Sequence, residues 1–397
     1  MKKQKTILRY AGGKTRAIKK ITPFVEDYDT IVSPFLGGGS LEVHWAAMGK
    51  KVIAADVFDI LVNFWNVLLT NPDALADELS KITPTKKEYD EVKEALMCTP
   101  QVQNMLKDWT TDFYKYRTFK EVDDDGNPIK DAKGKFVKSR ELRKINSIED
   151  IRLAAYYYFN HNTSYGPGFL GWPSKIYMNQ KKWDKTIAKV RAFSSPNLSV
   201  SHQSFEDTIR QNPNSFLYLD PPYYTEKEKD NKMLCGIYPM KNIPVHHDGF
   251  DHEKLRDLVL QHEGDFVMSY NNCETIRDWY SDFEQQFPEW HYSMDIGETR
   301  IGKNRKERTT KEELSEVDRI TQNILRLEEN IQTKMDQIIL LEEDMEVNKN
   351  QIALLENDIE ATKGPLARLK TERHEIMKKQ SHEILIIKRS KTISENK

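Results

Sequence analysis

Thr30-Ile-Val-Ser-Pro-Phe35-Leu-Gly37-Gly38-Gly39-Ser40 reads as a short apolar strand running into a glycine turn. A helix-like run, Leu41–Met48, follows, and Lys51-Val-Ile-Ala-Ala-Asp56 reads as a second strand closed by an acid. Strand, glycine turn, helix, strand and acid form the logic of an adenosine-binding unit. Glycines let backbone N–H groups approach a ligand closely, and an acid about twenty residues on can hold ribose hydroxyls. The full dinucleotide spacing is missing, so a mononucleoside fits better than NAD. The alternative is a purely structural glycine turn. These elements predict an α/β chain with a Rossmann-like domain.

A second stretch, Phe216-Leu-Tyr-Leu-Asp220-Pro221-Pro222-Tyr223-Tyr224, carries the chemistry. Its apolar run reads as a buried strand, which the two prolines end because they donate no ladder hydrogen bond. A carboxylate, a proline carbonyl and an aromatic ring then gather at a strand's carboxyl end, where open α/β sheets keep their sites. Such a set suits methylation of an exocyclic amino group on a nucleobase. That amine is a poor nucleophile because its lone pair is delocalised into the ring. Asp220 and the Pro221 carbonyl would accept its two N–H groups and favour the tetrahedral geometry of attack. Tyr223 would stack on a base flipped out of the duplex, an excursion costing about a few kcal/mol. The plainer alternative is a strand ended by a Pro-Pro turn.

The chain has 397 residues, 31% charged and 38% apolar, enough for a sizeable core plus a highly polar appendage. A net charge of −2 decides nothing about nucleic acid, because it hides any local basic surface. Cys98, Cys235 and Cys273 lack metal or disulfide spacing. Met1-Lys-Lys-Gln-Lys lacks the apolar core of a signal peptide, and no apolar run is long enough to span a membrane. A soluble cytoplasmic protein is expected, with no membrane partner.

Ahead of the first strand, Ile7-Leu-Arg-Tyr-Ala-Gly-Gly-Lys14 places two glycines before the helical pattern Thr15–Ile21, an anion-cradling turn or a plain tight one. Residues 71–195 read first as amphipathic helices to Trp109. A polar, turn-rich excursion over Lys120–Val137 then suggests a loop or small hairpin. Leu153–Asn160 is aromatic and helical and leads into a Gly-, Tyr- and Trp-rich loop ending at Trp172. Histidines at 246, 247, 252 and 262 tempt a metal reading, but the chemistry needs none, and no metal site is expected.

In order along the chain, Arg9-Tyr-Ala-Gly-Gly-Lys14, Pro34-Phe-Leu-Gly-Gly-Gly39 and Leu219-Asp-Pro-Pro-Tyr223 resemble the Dam-type (D12 class, α-group) DNA adenine-N6 methyltransferases. Asp56-Val-Phe-Asp-Ile-Leu-Val-Asn-Phe-Trp65 is similar to the family's segment after its second strand. The resemblance implies double-stranded DNA as substrate and S-adenosylmethionine as cofactor. Tyr10, Ala11, Gly12, Gly13 and Lys14 would lie near its methionine part, and Phe35, Gly37, Gly38 and Gly39 beneath it. Asp56 with Val57 would meet the ribose, Phe205 the adenine, and Asp220 the reacting end. Arg9 matches a DNA-contacting basic residue, and Asn162 and Tyr165 lie in the loop that approaches the target base. The chain departs from the pattern twice. Ser204 stands where an acid often precedes the aromatic, leaving Glu206 as an alternative adenine contact, and Trp172-Pro173 intervenes before Lys175.

From Leu314 to Met377 the composition changes. Ile324, Ile331, Ile338, Met345, Ile352, Ile359 and Leu366 recur every seven residues, with Leu327, Leu341, Leu355 and Leu369 in the seam. That heptad pattern predicts a coiled coil. His382-Glu-Ile-Leu-Ile-Ile-Lys388 resembles the family's last strand, expected beside a strand around Trp290–Ile296, so the coil is an insertion whose ends must return together. A single helix over 312–362 would reach about 75 Å at ~1.5 Å per residue, farther than the chain to 381 can return. An antiparallel hairpin turning near Glu346–Asn350 is therefore expected, unless the last strand is exchanged between subunits, with Gly364-Pro365 kinking the return arm. It would serve as a homodimer or protein-partner surface, or as an inert insertion. Arg300, Lys303 and Arg305 at its base are expected on phosphate, the alternative being a solvated charge run.

The expected layout is a catalytic domain over 1–70, 196–310 and 381–397, a target-recognition domain over 71–195 and a coiled-coil hairpin over 311–380. The expected activity is adenine-N6 methylation of duplex DNA. Methylation of cytosine N4 or of RNA, or a catalytically silent scaffold acting through its coil, remains an alternative. The target sequence, and a role in restriction–modification, regulation or a mobile element, stay open.

Overall fold

The computed structural model describes residues 5–10, 12–105, 116–123, 127–164, 168–224, 250–288, 311–342, 345–381 and 383–389. Contacts divide the chain into two units, Met1–Met268 with Lys388–Lys397, and Ser269–Ile387. The architecture is mixed α/β with a mostly parallel sheet.

The first unit begins with helical turns over Lys14–Arg16, Ile18–Ile21 and Thr22–Val25. There follow β1 (Thr30–Ser33), α1 (Ser40–Ala47), β2 (Lys51–Asp56) and α2 (Asp59–Thr70). Next come α3 (Pro72–Ser80), α4 (Lys86–Met97), α5 (Pro100–Met105), β3 (Tyr116–Lys120), β4 (Lys138–Leu142), α6 (Asp150–Thr163) and α7 (Gln180–Arg191). β5 (Leu198–His202), α8 (Phe205–Gln211), β6 (Phe216–Leu219), α9 (His252–Gln261) and β7 (Phe266–Asn271) complete the run, the unit boundary falling inside β7.

Parallel pairings give the order β5-β2-β1-β6-β7, so the chain leaves the glycine strand β1 for β2 on one side and reaches β6 on the other. β1 and β6 are adjacent, with Ile31 opposite Phe216 and Val32 opposite Leu217, and their carboxyl ends open side by side. β6 is buried at every residue, the mark of a strand covered on both faces. The core beneath is aromatic: Trp45, Trp65, Tyr157, Tyr158, Phe64 and Tyr218 are fully buried.

The polar excursion forms a hairpin, with Tyr116 opposite Leu142 and Lys120 opposite Lys138, continued by bridges Val122–Pro128 and Lys130–Phe136. Its base is pinned where the shielded Arg143 guanidinium holds Glu94 (Nε–Oε1 2.8 Å) and the Tyr116 carbonyl (2.7 Å).

The second unit holds α10 (Glu274–Trp279), β8 (Glu284–Gln286), α11 (Lys311–Glu342), α12 (Met345–Gln380) and β9 (Glu383–Lys388, whose last residue falls in the first unit). β8 and β9 pair antiparallel, Glu284 opposite Ile387, so the two long helices are inserted between paired strands. Trp290–Ile296, expected as the neighbour of β9, lies outside the described residues, and β8 is one neighbour among those described. Lys334 meets Asp358 (3.2 Å), Glu328 meets Lys370 (2.7 Å), and Arg373 donates to Thr321 (2.9 Å). One index rises as the other falls, so the helices run antiparallel. α11 is described to Glu342 and α12 from Met345, so Glu346–Asn350, where the turn was expected, belong to α12. Helix α12 runs on through Pro365, the position expected to kink the return arm. No helix among the described residues is long and apolar enough to cross a membrane.

Candidate active site

The glycine turn after β1 is defined by close approach. A Cβ on Gly38 would lie 2.4 Å from the Cβ of Tyr10, and one on Gly39, whose φ is +61°, 2.7 Å from the Trp65 ring. Side chains are therefore excluded at Gly38 by packing and at Gly39 by backbone and packing together. The Trp65 indole N–H donates to the Gly37 carbonyl (3.1 Å), and Thr6 Oγ1 donates to that of Gly38 (2.6 Å). Asp56, at the end of β2, accepts the Gly37 N–H on Oδ2 (2.9 Å) and the Phe58 N–H on Oδ1 (3.0 Å). This carboxylate thus ties the tip of one strand to the turn of its neighbour. Val57 beside it is exposed, and its carbonyl is 3.0 Å from His202 Nε2.

Tyr10 lies over the turn. The N–H of Gly13 returns to its carbonyl (3.2 Å), which brings Lys14 inward. The Lys14 ammonium is 2.7 Å from Asp220 Oδ1 with 4% of its side chain exposed, and donates to the Tyr223 hydroxyl (3.2 Å). A buried ammonium is tolerated when paired and hydrogen-bonded, and this one has both. Lys14, expected near the cofactor's methionine part, is therefore joined to the acid and the aromatic of the Asp-Pro-Pro-Tyr stretch.

Phe35 stacks on Phe205 (5.7 Å between ring centres, 24° between planes), and Phe250 meets both, at 5.8 Å and 5.1 Å. Phe250 had no sequence signal, since only the fold brings it beside two rings distant in the chain. Ser204 is the N-cap of α8, its hydroxyl accepting the Asp207 N–H (3.1 Å). Glu206 pairs with Lys254 (3.0 Å) and Arg210 (3.5 Å).

Behind the turn, the buried Glu42 on α1 accepts a hydrogen bond from Ser33 Oγ (2.8 Å). Loss of solvation, reinforced by the charge of Asp220, pushes its carboxyl up to about 7 against the hydrogen bonds it accepts. On α6, His161 is stacked between Tyr10 (5.4 Å, 21°) and Tyr157 (5.3 Å, 29°). Burial pushes its imidazole down to about 3, partly opposed by the Arg9 carbonyl. The spacing of the aromatic run in α6 predicted a helix but did not say that residue 161 stacks on Tyr10.

Arg9 stacks its guanidinium on Tyr177 (3.7 Å to the ring centre) and donates to the Asn162 carbonyl (2.7 Å). The Asn162 side chain accepts the Arg9 N–H (3.2 Å) and donates to the Tyr158 carbonyl (3.0 Å). Burial draws the Arg9 pKa below its ordinary value. These two residues are thus brought together, with Asn162 buried. Ala11, Tyr165, Arg300, Lys303 and Arg305 lie outside the described residues. No cluster of His, Cys, Asp and Glu among the described residues could hold a metal ion.

Residues 10–296 match the model of the D12 class N6 adenine-specific DNA methyltransferases. Two DNA adenine methylases of Vibrio cholerae serotype O1, strains O395 and El Tor Inaba N16961, are each 33% identical over 81 residues. That span is 20% of this chain and 28% of each relative, so the match leaves most of their length uncovered. The Type II methyltransferase M.MjaIII of Methanocaldococcus jannaschii is 25% identical over 235 residues, 55% of this chain and 69% of that protein. The matched span runs from Tyr10 through the glycine turn and Asp56 to the acid held by Lys14, and the chain belongs to the D12 class N6 adenine-specific DNA methyltransferase family.

Proposed function

We propose that the protein transfers a methyl group from S-adenosylmethionine to the N6 amino group of adenine in duplex DNA, taking the base flipped out of the helix. The observation that carries this reading is the Lys14–Asp220 pair, at 2.7 Å, set beside Tyr223 at the carboxyl end of β6. A nucleoside-type methyl donor fits the residues present. Gly38 and Gly39 let Tyr10 and Trp65 pack onto the turn, Asp56 stands at the neighbouring strand tip, and Phe35, Phe205 and Phe250 form an apolar wall suited to a purine. When bound, S-adenosylmethionine supplies an electrophilic methyl group.

The chain's own residues do the rest. Asp220 and the Pro221 carbonyl accept the two N–H groups of the target amine, drawing its lone pair out of conjugation, and Pro222 holds the backbone extended. Lys14 fixes the Asp220 carboxylate, which still has acceptor capacity because a carboxylate offers about four lone-pair sites. Tyr223 stacks on the base, its hydroxyl steadied by Lys14. Arg9 and Asn162, with Tyr165, face the DNA near the base, and Arg300, Lys303 and Arg305 meet phosphate. The same proposal includes the layout of catalytic segments 1–70, 196–310 and 381–397, recognition segment 71–195, and a coiled-coil hairpin over 311–380 that offers a self-association or partner surface.

The test is transfer of labelled methyl from S-adenosylmethionine to unmethylated duplex DNA, followed by digestion to nucleosides. Label in N6-methyladenine, lost in Asp220→Ala, is the expected result. Label in N4-methylcytosine overturns the base assignment, and no label despite bound cofactor overturns the activity.

A further inference from the structure

The β3–β4 ribbon carries charge of both signs, and its register sorts them. Lys120 stands opposite Lys138, Thr118 opposite Arg140, and further along Lys130 opposite Phe136. Residues paired across a sheet share a face, as do alternate residues along a strand. Lys120, Lys130, Lys138 and Arg140 therefore stand on one face, with Phe136 among them. Two contacts agree: the Lys120 ammonium lies 3.6 Å and that of Lys130 5.3 Å from the centre of the Phe136 ring. All of these cations are exposed.

Every acid described in the ribbon is placed elsewhere. Glu141 stands opposite Arg117 and Glu121 meets Ser139, both on the other face. Asp123 and Asp131 serve turns. Asp123 accepts the Asn127 N–H (2.8 Å), and Asp131 accepts those of Lys133 (2.9 Å) and Lys135 (2.8 Å). Asp124 and Asp125 lie outside the described residues. Phe119 on one face is 40% exposed, and Phe136 and Leu142 on the other are 40% and 63% exposed, so neither face is a core layer. Charge scattered over both faces would suffice to keep a bare ribbon from pairing with other edges. Cations gathered on one face go beyond that need.

The anchor ties the ribbon to the residues read as facing DNA. Glu94 on α4 holds Arg143 at the ribbon's base, while Lys93 beside it donates to the Gly171 carbonyl (3.1 Å), as does the Tyr89 hydroxyl (2.9 Å). Just beyond, the Ser174 N–H donates to the carbonyl of Thr163, the neighbour of the Asn162 that accepts from Arg9. One helix thus holds both the ribbon and the loop beside Arg9.

We infer that the Lys120, Lys130, Lys138 and Arg140 face of the ribbon holds the phosphate backbone of duplex DNA outside the target base. The inference rests on the reading of duplex DNA as the substrate. A duplex carries one negative charge per about 1.7 Å of its axis, and its major groove, about 12 Å wide, admits a two-stranded ribbon. Lys138 and Arg140, alternate residues of β4, present charges about 7 Å apart along it. Lysines are point charges without the fork that reads a base edge, so this face adds affinity without choosing a sequence.

The test titrates the full chain into a labelled duplex over a series of salt concentrations, read by fluorescence anisotropy. In Lys120→Gln/Lys130→Gln/Lys138→Gln, the slope of log affinity against log salt should fall by roughly one per lysine. Binding at low salt should weaken about tenfold or more, equally for duplexes of different sequence. Arg117→Gln/Lys135→Gln, which removes two cations from the other face, should leave slope and affinity as in the wild type. Replacing the three lysines by arginine keeps the charge and should keep the slope. Melting temperatures should match the wild type throughout, because exposed side chains contribute little to the fold. An unchanged slope in the glutamine variant overturns the inference. Equal losses from the two faces overturn it as well, since net charge alone then acts, and so does a loss confined to one sequence. A wild-type chain that binds no duplex at low salt sinks the substrate reading and this inference with it, a result distinct from duplex binding that the ribbon variants leave intact.

Discussion

Two lysine–aspartate pairs, one from each unit, differ in burial more than in distance. Lys14 and Asp220 are 2.7 Å apart with 4% and 22% of their side chains exposed; Lys334 and Asp358 are 3.2 Å apart with 20% and 68% exposed. Water screens the second pair, and holding two long side chains together offsets most of its attraction. The first sits where screening is weak, so losing one partner leaves a shielded charge alone. Equal chemistry thus gives a site in one region and surface decoration in the other.

Lys14→Met attacks the comparison hardest. It should cost about 3 kcal/mol of stability, as expected for breaking a buried pair, and cut methyl transfer by about a hundredfold or more. Urea melts and a labelled-methyl assay read both, and a variant within twofold of wild type in transfer would remove Lys14 from the site. Next in size is Glu42→Gln. Its carboxyl, pushed up to about 7, keeps its proton in the fold where the unfolded chain has lost it. Its contribution is therefore whole below about pH 4.5 and is lost as pH rises through about 7. The glutamine variant should gain about 3 kcal/mol relative to wild type between those limits, and a pH-independent difference would reject the buried acid.

Gly38→Ala places a Cβ against Tyr10 and should cost about 1–3 kcal/mol with loss of S-adenosylhomocysteine binding. If calorimetry finds affinity and melting temperature intact, the turn is roomier than described. Smallest of all, Lys334→Ala should change stability by less than about 1 kcal/mol, and less still at high salt. A loss as large as that of Lys14→Met would mean that burial does not separate the two pairs.

Much of the site was legible because its signals are local. The strand before the glycine turn, the strand that Asp56 ends and the strand that stops before the prolines are where a few consecutive residues put them, and the structure places β1 beside β6 so that their ends meet. The role of Ser204 was not legible in that way. Its hydroxyl caps α8, and Glu206 shortly after it pairs with Lys254 and Arg210. The turn expected near Glu346–Asn350 also failed there, since those residues are helical in α12. Heptad spacing is continuous through a turn, so periodicity finds the helices and not where the chain reverses.

By itself, the sequence determined the α/β class, the glycine-bearing unit, the acid and prolines that end β6, and the heptad segment, because backbone preference and periodicity act over short spans. Tertiary structure alone decided that Lys14 would reach Asp220, that Phe250 would join Phe35 and Phe205, and that His161 would stack on Tyr10 over the glycine turn. Those meetings join residues tens to hundreds of positions apart. They follow from strand order and helix rotation, which packing of the whole core sets and no local pattern encodes.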